Sequence, residues 1–271
     1  MGEHGRPVLT KSTPMYDDLA AYYDRIYSED RYRTEARRLW EVVRRYGPPH
    51  ARTLLDVACG TGGHIQYLQR WFDCRGIDAS PSMLRLARRR LPGVPFTRGR
   101  MESLRLSDRF DVITCVFSAI GYVRTLPALE ATLHHFARHL RPGGIVIIEP
   151  WLAPEDYRPG YYHLITHNTP ELRLARLSVG ERRGNESIIE FHFLIATPGR
   201  PVRYLRDPHV LGLFTVPEML ERMRRAGLRG RHFRRGLGPG RDRGLFIGLR
   251  PIGPSKRSPT HVRGRSQHRK A

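Results

Sequence analysis

The residues best placed to do chemistry are Asp56 and the small, glycine-rich run behind it, Val57-Ala58-Cys59-Gly60-Thr61-Gly62, together with Asp78 twenty-two residues further on. The first acid closes an apolar stretch, Thr53-Leu54-Leu55, that reads as a buried strand. The glycines then let the chain turn tightly and bring its backbone close to a ligand. Acid at position 56 separates this turn from the G-x-G-x-x-G loop that cradles a pyrophosphate, because a carboxylate beside the ligand suits a cationic amino-acid group better than a phosphate. Asp78 ends the next strand, Arg75-Gly76-Ile77-Asp78, where an acid can accept from both hydroxyls of a ribose. The ligand expected here has an amino-acid end and a nucleoside end, and lies across the carboxyl ends of two strands.

The elements that hold these residues alternate between the strand and helix periods. An aromatic-rich helix is expected over 15–46, ended by Gly47-Pro48-Pro49. Helices follow over 64–72, 81–90 and 126–140, the second with Pro81 in its first turn, and strands over 94–97, 111–116 and 145–149. Such alternation means right-handed crossovers and a mostly parallel, Rossmann-like α/β sheet covered on both faces. After Pro150 the pattern changes to strand-like stretches over 162–166, 172–179, 187–197 and 202–205, separated by Pro, Gly and Asn turns, which read as an antiparallel β insertion over about 156–210. Within it Ile189, Phe191, Phe193 and Ile195 share an apolar face that must pack on something. A helix over 216–226 and a strand over 244–249 return to the core. The expected organisation is a flexible start, 1–14, one folded unit over 15–250, and a disordered basic tail, 251–271.

The formal net charge of +21 raises a nucleic-acid partner, but the charge is dispersed. Six of the Lys and Arg residues lie in the tail, without a single acid, and the rest are spread along many helices. No base-flipping Asn/Asp-Pro-Pro-aromatic motif occurs, since Asn168-Thr169-Pro170-Glu171 lacks the stacking ring. No apolar run reaches the ~20 residues of a membrane span. The opening MGEHGRPVLTKSTP has no apolar segment of the signal-peptide kind. Cys59, Cys74 and Cys115 have neither metal-site spacing nor a closed pairing. A cytoplasmic protein with reduced thiols and no metal is expected.

Four runs carry a resemblance: LLDVACGTGGH, GIDASPSML, FDVITCVFSAIGY and LRPGGIVIIEPW. Together they resemble class I methyltransferases that use S-adenosyl-L-methionine. With MYDDLAAYYDRIY near the start and RGLFIGL near the end, the chain looks like the N,N-dimethyltransferases that act on nucleotide-linked 3-amino-deoxysugars, over about 15–249. The resemblance implies that Asp56, Ala58 and Gly60 line the methionine part of the cofactor, that Asp78 holds the ribose, and that Met83 packs on the adenine. It also implies adenine contacts from Met101 and Glu102, a Phe117 facing the sulfonium, and a pocket closed by the tyrosines at 16 and 23. Two positions depart from the family. Arg100 stands where an acid usually accepts from the adenine amino group, leaving Glu102 as the substitute acceptor, and Tyr122 stands where His is frequent.

Methyl transfer from a sulfonium is an in-line displacement on an electrophile that is already activated, so the protein mainly aligns an acceptor lone pair and excludes water. Tyr122 is the candidate to orient the acceptor amine or receive its proton. Trp151 and Glu149 close the fifth-strand end of the site, and Arg241 and Arg243 form the candidate pair for a diphosphate. The partner expected is a small-molecule acceptor, a nucleotide-linked amino sugar, with RNA or protein as the alternative methyl acceptor. No membrane partner is expected, and a homodimer is left open.

Overall fold

The computed structural model describes residues 20–27, 29–238 and 243–252. The expectations for 1–14, Tyr16, Arg241 and the tail from residue 253 fall outside the described residues.

The core is a seven-stranded sheet in the order β10-β11-β5-β4-β1-β2-β3. Its parallel part comprises β1 (Thr53–Val57), β2 (Asp73–Asp78), β3 (Phe96–Arg98), β4 (Phe110–Cys115) and β5 (Leu140–Ile148). At one side β11 (Leu245–Leu249) runs antiparallel to β5, and β10 (Arg229–Phe233) antiparallel to β11. Chain order reverses between β1 and β4, so the crevice at their carboxyl ends is where an open α/β sheet binds its ligand. Alternate residues of the strands enter two cores. Leu55, Val57, Ile113, Val146 and Ile148 pack with residues of α5 (Leu126–His139) and α6 (Val216–Arg225). Leu54, Val112, Ile145 and Ile147 pack with α2 (Glu29–Tyr46) and α3 (Ile65–Leu68).

Local chemistry fixes the helix ends. The Ser80 hydroxyl accepts from the Met83 N–H at the start of α4 (Pro81–Arg90), with proline in the first turn. Thr215 and Glu218 form a reciprocal capping box at α6. The single helix expected over 15–46 is instead two, α1 (Ala20–Ile26) and α2, and the helix expected over 64–72 shrinks to the single turn of α3. The edge strand β10 was not anticipated, because Arg229-Gly230-Arg231-His232 has the composition of a solvated charge run.

The insertion is a separate antiparallel sheet, β6 (Tyr162–Asn168), β7 (Arg173–Arg183), β8 (Glu186–Ala196) and β9 (Arg203–Gly212), in chain order. Leu174, Phe193 and Ile195 of its apolar face pack with Tyr22, Tyr23 and Ile26 of α1, so the N-terminal helix is the surface the sequence pattern demanded. The last strand outruns the expected 202–205 by passing through Pro208. A proline is tolerated there because β9 is an edge strand. No helix among the described residues is long and apolar enough to cross a membrane.

Asp111 clips the start of β1 to β4 and β5. Its carboxylate accepts from the backbone N–H of Arg52 (3.0 Å) and Thr53 (2.9 Å), from the Thr53 hydroxyl (2.9 Å) and from Arg141 (3.1 Å). Burial opposes ionisation, but these donors outweigh it and hold the carboxyl below the usual carboxylate range. A depressed folded pKa stabilises above the unfolded value and ceases to do so as pH falls through the folded one. Asp111→Ala is therefore expected to cost about 1–3 kcal/mol at neutral pH. In urea titrations the gap from wild type should close once the pH drops below about 4.

Candidate functional site

The glycine turn leaves β1 with Ala58 at φ +59, a left-handed conformation, followed by Gly60 at +55 and Gly62 at +78. A side chain at Gly60 would meet nothing within 4 Å, so the turn presents open space, a place for a ligand to lie against bare backbone. Asp78 braces this turn: one oxygen accepts from the Gly60 N–H and the other from the Ser80 N–H, both at 2.8 Å. The carboxylate, with Ala79 as a further backbone donor, still has acceptor capacity to offer a ribose hydroxyl. Burial pushes the Asp78 carboxyl up, against these backbone donors. Asp56 lies beneath the turn, 1% exposed, accepting from the Thr114 hydroxyl at 2.7 Å, and burial pushes its pKa up to about 6.

Three expectations for the nucleoside end are answered by geometry. Met83 is 0% exposed and belongs to the packed interior. Met101 and Glu102 form a short 3₁₀ turn after β3, both half-buried. Glu102 is engaged by Arg100 at 2.5 Å, so the cation that displaced the family's acid also occupies its substitute.

Beside the turn, β4 ends in two consecutive left-handed residues, Phe117 (φ +60) and Ser118 (φ +64). Non-glycine residues pay on the order of 1–3 kcal/mol each for such conformations, which persist where the surroundings over-determine them. Here the Glu149 carboxylate accepts from the Phe117 N–H at 2.7 Å, and the Ser118 hydroxyl donates to the Pro150 carbonyl at 3.0 Å. Burial raises the pKa of Glu149, opposed chiefly by the charge of Arg243. The turn thereby thrusts the Phe117 ring toward the N-terminal helices, edge-on to Tyr27 at 4.8 Å and under the Arg31 guanidinium at 4.2 Å.

Phe117 also lines a cavity of about 660 Å³ between the core sheet and the inner face of the insertion, a volume suited to a small organic ligand. Tyr23, Tyr122, Trp151 and Arg243, all singled out in the sequence, meet there. Arg243 lies 4.9 Å over the Trp151 ring; burial lowers its pKa while Glu149 favours its charge. Four arginines, Arg31, Arg158, Arg176 and Arg243, line the cavity, and no carboxylate does so among the described residues. Arg176 is 4% exposed, donates to the Tyr27 hydroxyl at 3.2 Å and stacks on Phe191 at 4.6 Å. Its Nε has no hydrogen-bond partner. A buried cation with donor capacity to spare suits an anionic guest.

Several residues of the site were not legible in advance. Asp24 of α1 accepts from the Thr61 hydroxyl at 2.8 Å and pairs with Arg90 at 2.5 Å, latching the N-terminal helix to the glycine turn. Glu35 bridges Arg31 (2.7 Å) and His64 (2.8 Å) behind Phe117. Burial would raise its pKa, but the hydrogen bond and charge of His64, with Arg31, outweigh that and lower it. The Tyr122 hydroxyl and His209 Nδ1 share a hydrogen bond, and His209 in turn meets Asp207. Partners in these groups are up to 87 residues apart, and only their i, i+2 or i, i+4 spacings within one element gave any local signal.

Comparison with known proteins gives a consistent picture. Residues 54–144 match a family model described as a methyltransferase domain. A dTDP-3-amino-3,4,6-trideoxy-alpha-D-glucopyranose N,N-dimethyltransferase of Streptomyces venezuelae is 38% identical over 240 residues, 87% of this chain and 99% of that protein. The crystal structure of Streptomyces venezuelae DesVI superposes with a TM-score of 0.79 at 36% identity, covering 86% of this chain and 97% of that one. CalS10 of Micromonospora echinaspora, an amino pentose methyltransferase solved with S-adenosylmethionine bound, gives 0.75 at 32% identity, covering 86% and 96%.

Proposed function

Since this chain belongs to the class I S-adenosylmethionine-dependent methyltransferases, in the group of the amino-sugar N,N-dimethyltransferases, we propose that it methylates the amino group of a nucleotide-linked deoxysugar. The observation that carries the acceptor class is the cavity beyond the ends of β4 and β5, lined by four arginines and no carboxylate among the described residues. A diphosphate is the anion that such a set of guanidiniums complements, by paired, directional hydrogen bonds.

S-adenosylmethionine supplies an activated methyl group on a sulfonium. The residues present fit it: bare backbone at Gly60, ribose acceptors at Asp78, and a buried acid, Asp56, below the amino-acid end. Ala58 and the half-buried Met101, both packed on the core beside these residues, are proposed to complete the contact with the cofactor. Tyr23 and Phe117 close it from the cavity side, and Tyr122 orients the amine. Alignment and exclusion of water then carry most of the rate acceleration.

The test is an assay of purified protein with labelled cofactor against a panel of nucleotide-linked amino sugars and bulk RNA. Methyl transfer to at least one amino sugar and none to RNA is the expected result. Transfer to RNA alone would overturn the acceptor class and leave the methyltransferase core in place.

A further inference from the structure

The geometry points to a proton relay, Tyr122 to His209 to Asp207, that takes up the proton the acceptor amine must lose before it can be methylated. This inference rests on the acceptor class given above.

The relay is built from two elements of different origin. Tyr122 sits in the short turn (Ala119–Val123) that follows the strained Phe117-Ser118 pair. Asp207 and His209 lie two apart on β9, hence on one face of that strand, which is turned inward. Their exposures are 0% and 1%. The Tyr122 hydroxyl is 2.5 Å from His209 Nδ1, and His209 Nε2 is 2.7 Å from Asp207 Oδ2. Phe191 sets its ring edgewise on the imidazole at 4.7 Å.

Directions follow from the acid. An ionised carboxylate only accepts, so Nε2 carries the hydrogen, and Nδ1 is left as an acceptor for the Tyr122 hydroxyl. With its own proton committed to Nδ1, the Tyr122 oxygen can accept in turn, and Tyr122 lines the cavity. A buried Asp–His pair contributes little net stability against packed apolar residues, so the stability of β9 does not account for it.

The chemistry requires such an outlet. An amine attacks only through its lone pair, and each methyl transferred costs one N–H proton. The ammonium passes a proton to the Tyr122 oxygen as the Tyr122 hydroxyl proton moves to His209 Nδ1, and Asp207 balances the imidazolium. The freed lone pair forms the N–C bond while the C–S bond breaks and its electron pair stays on sulfur. His209 returns the proton to solvent between turnovers. The charged groups facing this chain across the cavity are Arg31 beside Tyr27, Arg158, Arg176 of β7 and Arg243, and the titratable His163 of β6 is held toward its neutral form by burial and by Arg176. Glu190, His192 and Arg206 pair with one another along β8 and β9 and are absent from the lining. The surrounding guanidiniums disfavour the ammonium, and Asp207 is the carboxylate in contact with His209.

The experiment compares wild type with Tyr122→Phe, His209→Gln and Asp207→Asn in kcat and acceptor KM from pH 6 to pH 10, with cofactor affinity by calorimetry as the measure of folding. A kcat loss of about tenfold or more at neutral pH is expected, the range of general-base contributions starting near a hundredfold. That loss should shrink as rising pH frees the amine unaided, with KM and cofactor affinity little changed. A readout independent of turnover is ¹⁵N NMR of histidine-labelled protein. His209, assigned by its loss in His209→Gln, should be neutral with hydrogen on Nε2, and Tyr122→Phe should shift its Nδ1. Deficits that do not vary with pH, or a His209 with hydrogen on Nδ1, overturn the relay while the acceptor class stands. Wild-type protein that methylates no amine at any pH removes both together.

Discussion

Asp78→Ala is expected to weaken binding of S-adenosylmethionine by about 1–3 kcal/mol, roughly five- to two-hundredfold in dissociation constant. The carboxylate does two things at once: its spare lone pairs serve the ribose, and its two backbone bonds hold Gly60 and Ser80 in the turn. Alanine forfeits both, whereas Asp78→Asn keeps one oxygen as an acceptor and should lose less. Calorimetry at neutral pH measures the loss, and a urea titration of the same variants separates affinity from folding. Because burial raises the Asp78 pKa, wild-type affinity should decline on the acid side as the carboxyl takes up its proton. Wild-type affinity retained in Asp78→Ala would place the ribose elsewhere.

The second large effect is expected at Arg243, whose guanidinium lies over Trp151 at the cavity wall. Arg243→Ala should raise the KM for a nucleotide-linked amino sugar about tenfold to a hundredfold, corresponding to one charge-assisted contact of about 1.5–3 kcal/mol. Cofactor affinity should barely move and kcat should fall little, since a handle remote from the reacting nitrogen contributes mostly uniform binding. Arg243→Lys should restore only part of the loss, as an ammonium neither forks to a diphosphate nor stacks as a plane. RNA would behave differently: many dispersed charges would share the contact, so one substitution would count little and activity would fall steeply with salt. Steady-state kinetics at two salt concentrations distinguish the cases.

What could be read from the chain depended on whether a function was local in sequence. The glycine turn and Asp78 were legible because strand, turn and acid follow one another within a single βαβ unit, and the geometry of that unit is dictated by handedness and packing. Phe117, Tyr122, Trp151 and Arg243 were found at strand ends and do converge on one cavity. Asp207 and His209 were missed for a definable reason: Pro208 between them reads as a strand breaker, and only the edge position of β9 lets the alternation continue through it. Arg176 carries no local signal within its strand-like stretch, because its partner Tyr27 is 149 residues away. Met83, assigned to the adenine by likeness, is buried on the inward face of α4.

The two-sheet construction of the cavity has a consequence for how such a chain diverges. The residues proposed for the cofactor end of the site belong to β1, β2 and the turns behind them, whereas the insertion's share of the cavity wall, from Tyr157 to Leu211, is one uninterrupted stretch between β5 and α6. Change within that stretch leaves the core sheet's hydrogen bonding untouched. Selection can therefore reshape the insertion's part of the cavity wall, by drift or by recombination of a single segment, while Tyr122, Trp151 and Arg243 keep their places beside the core sheet.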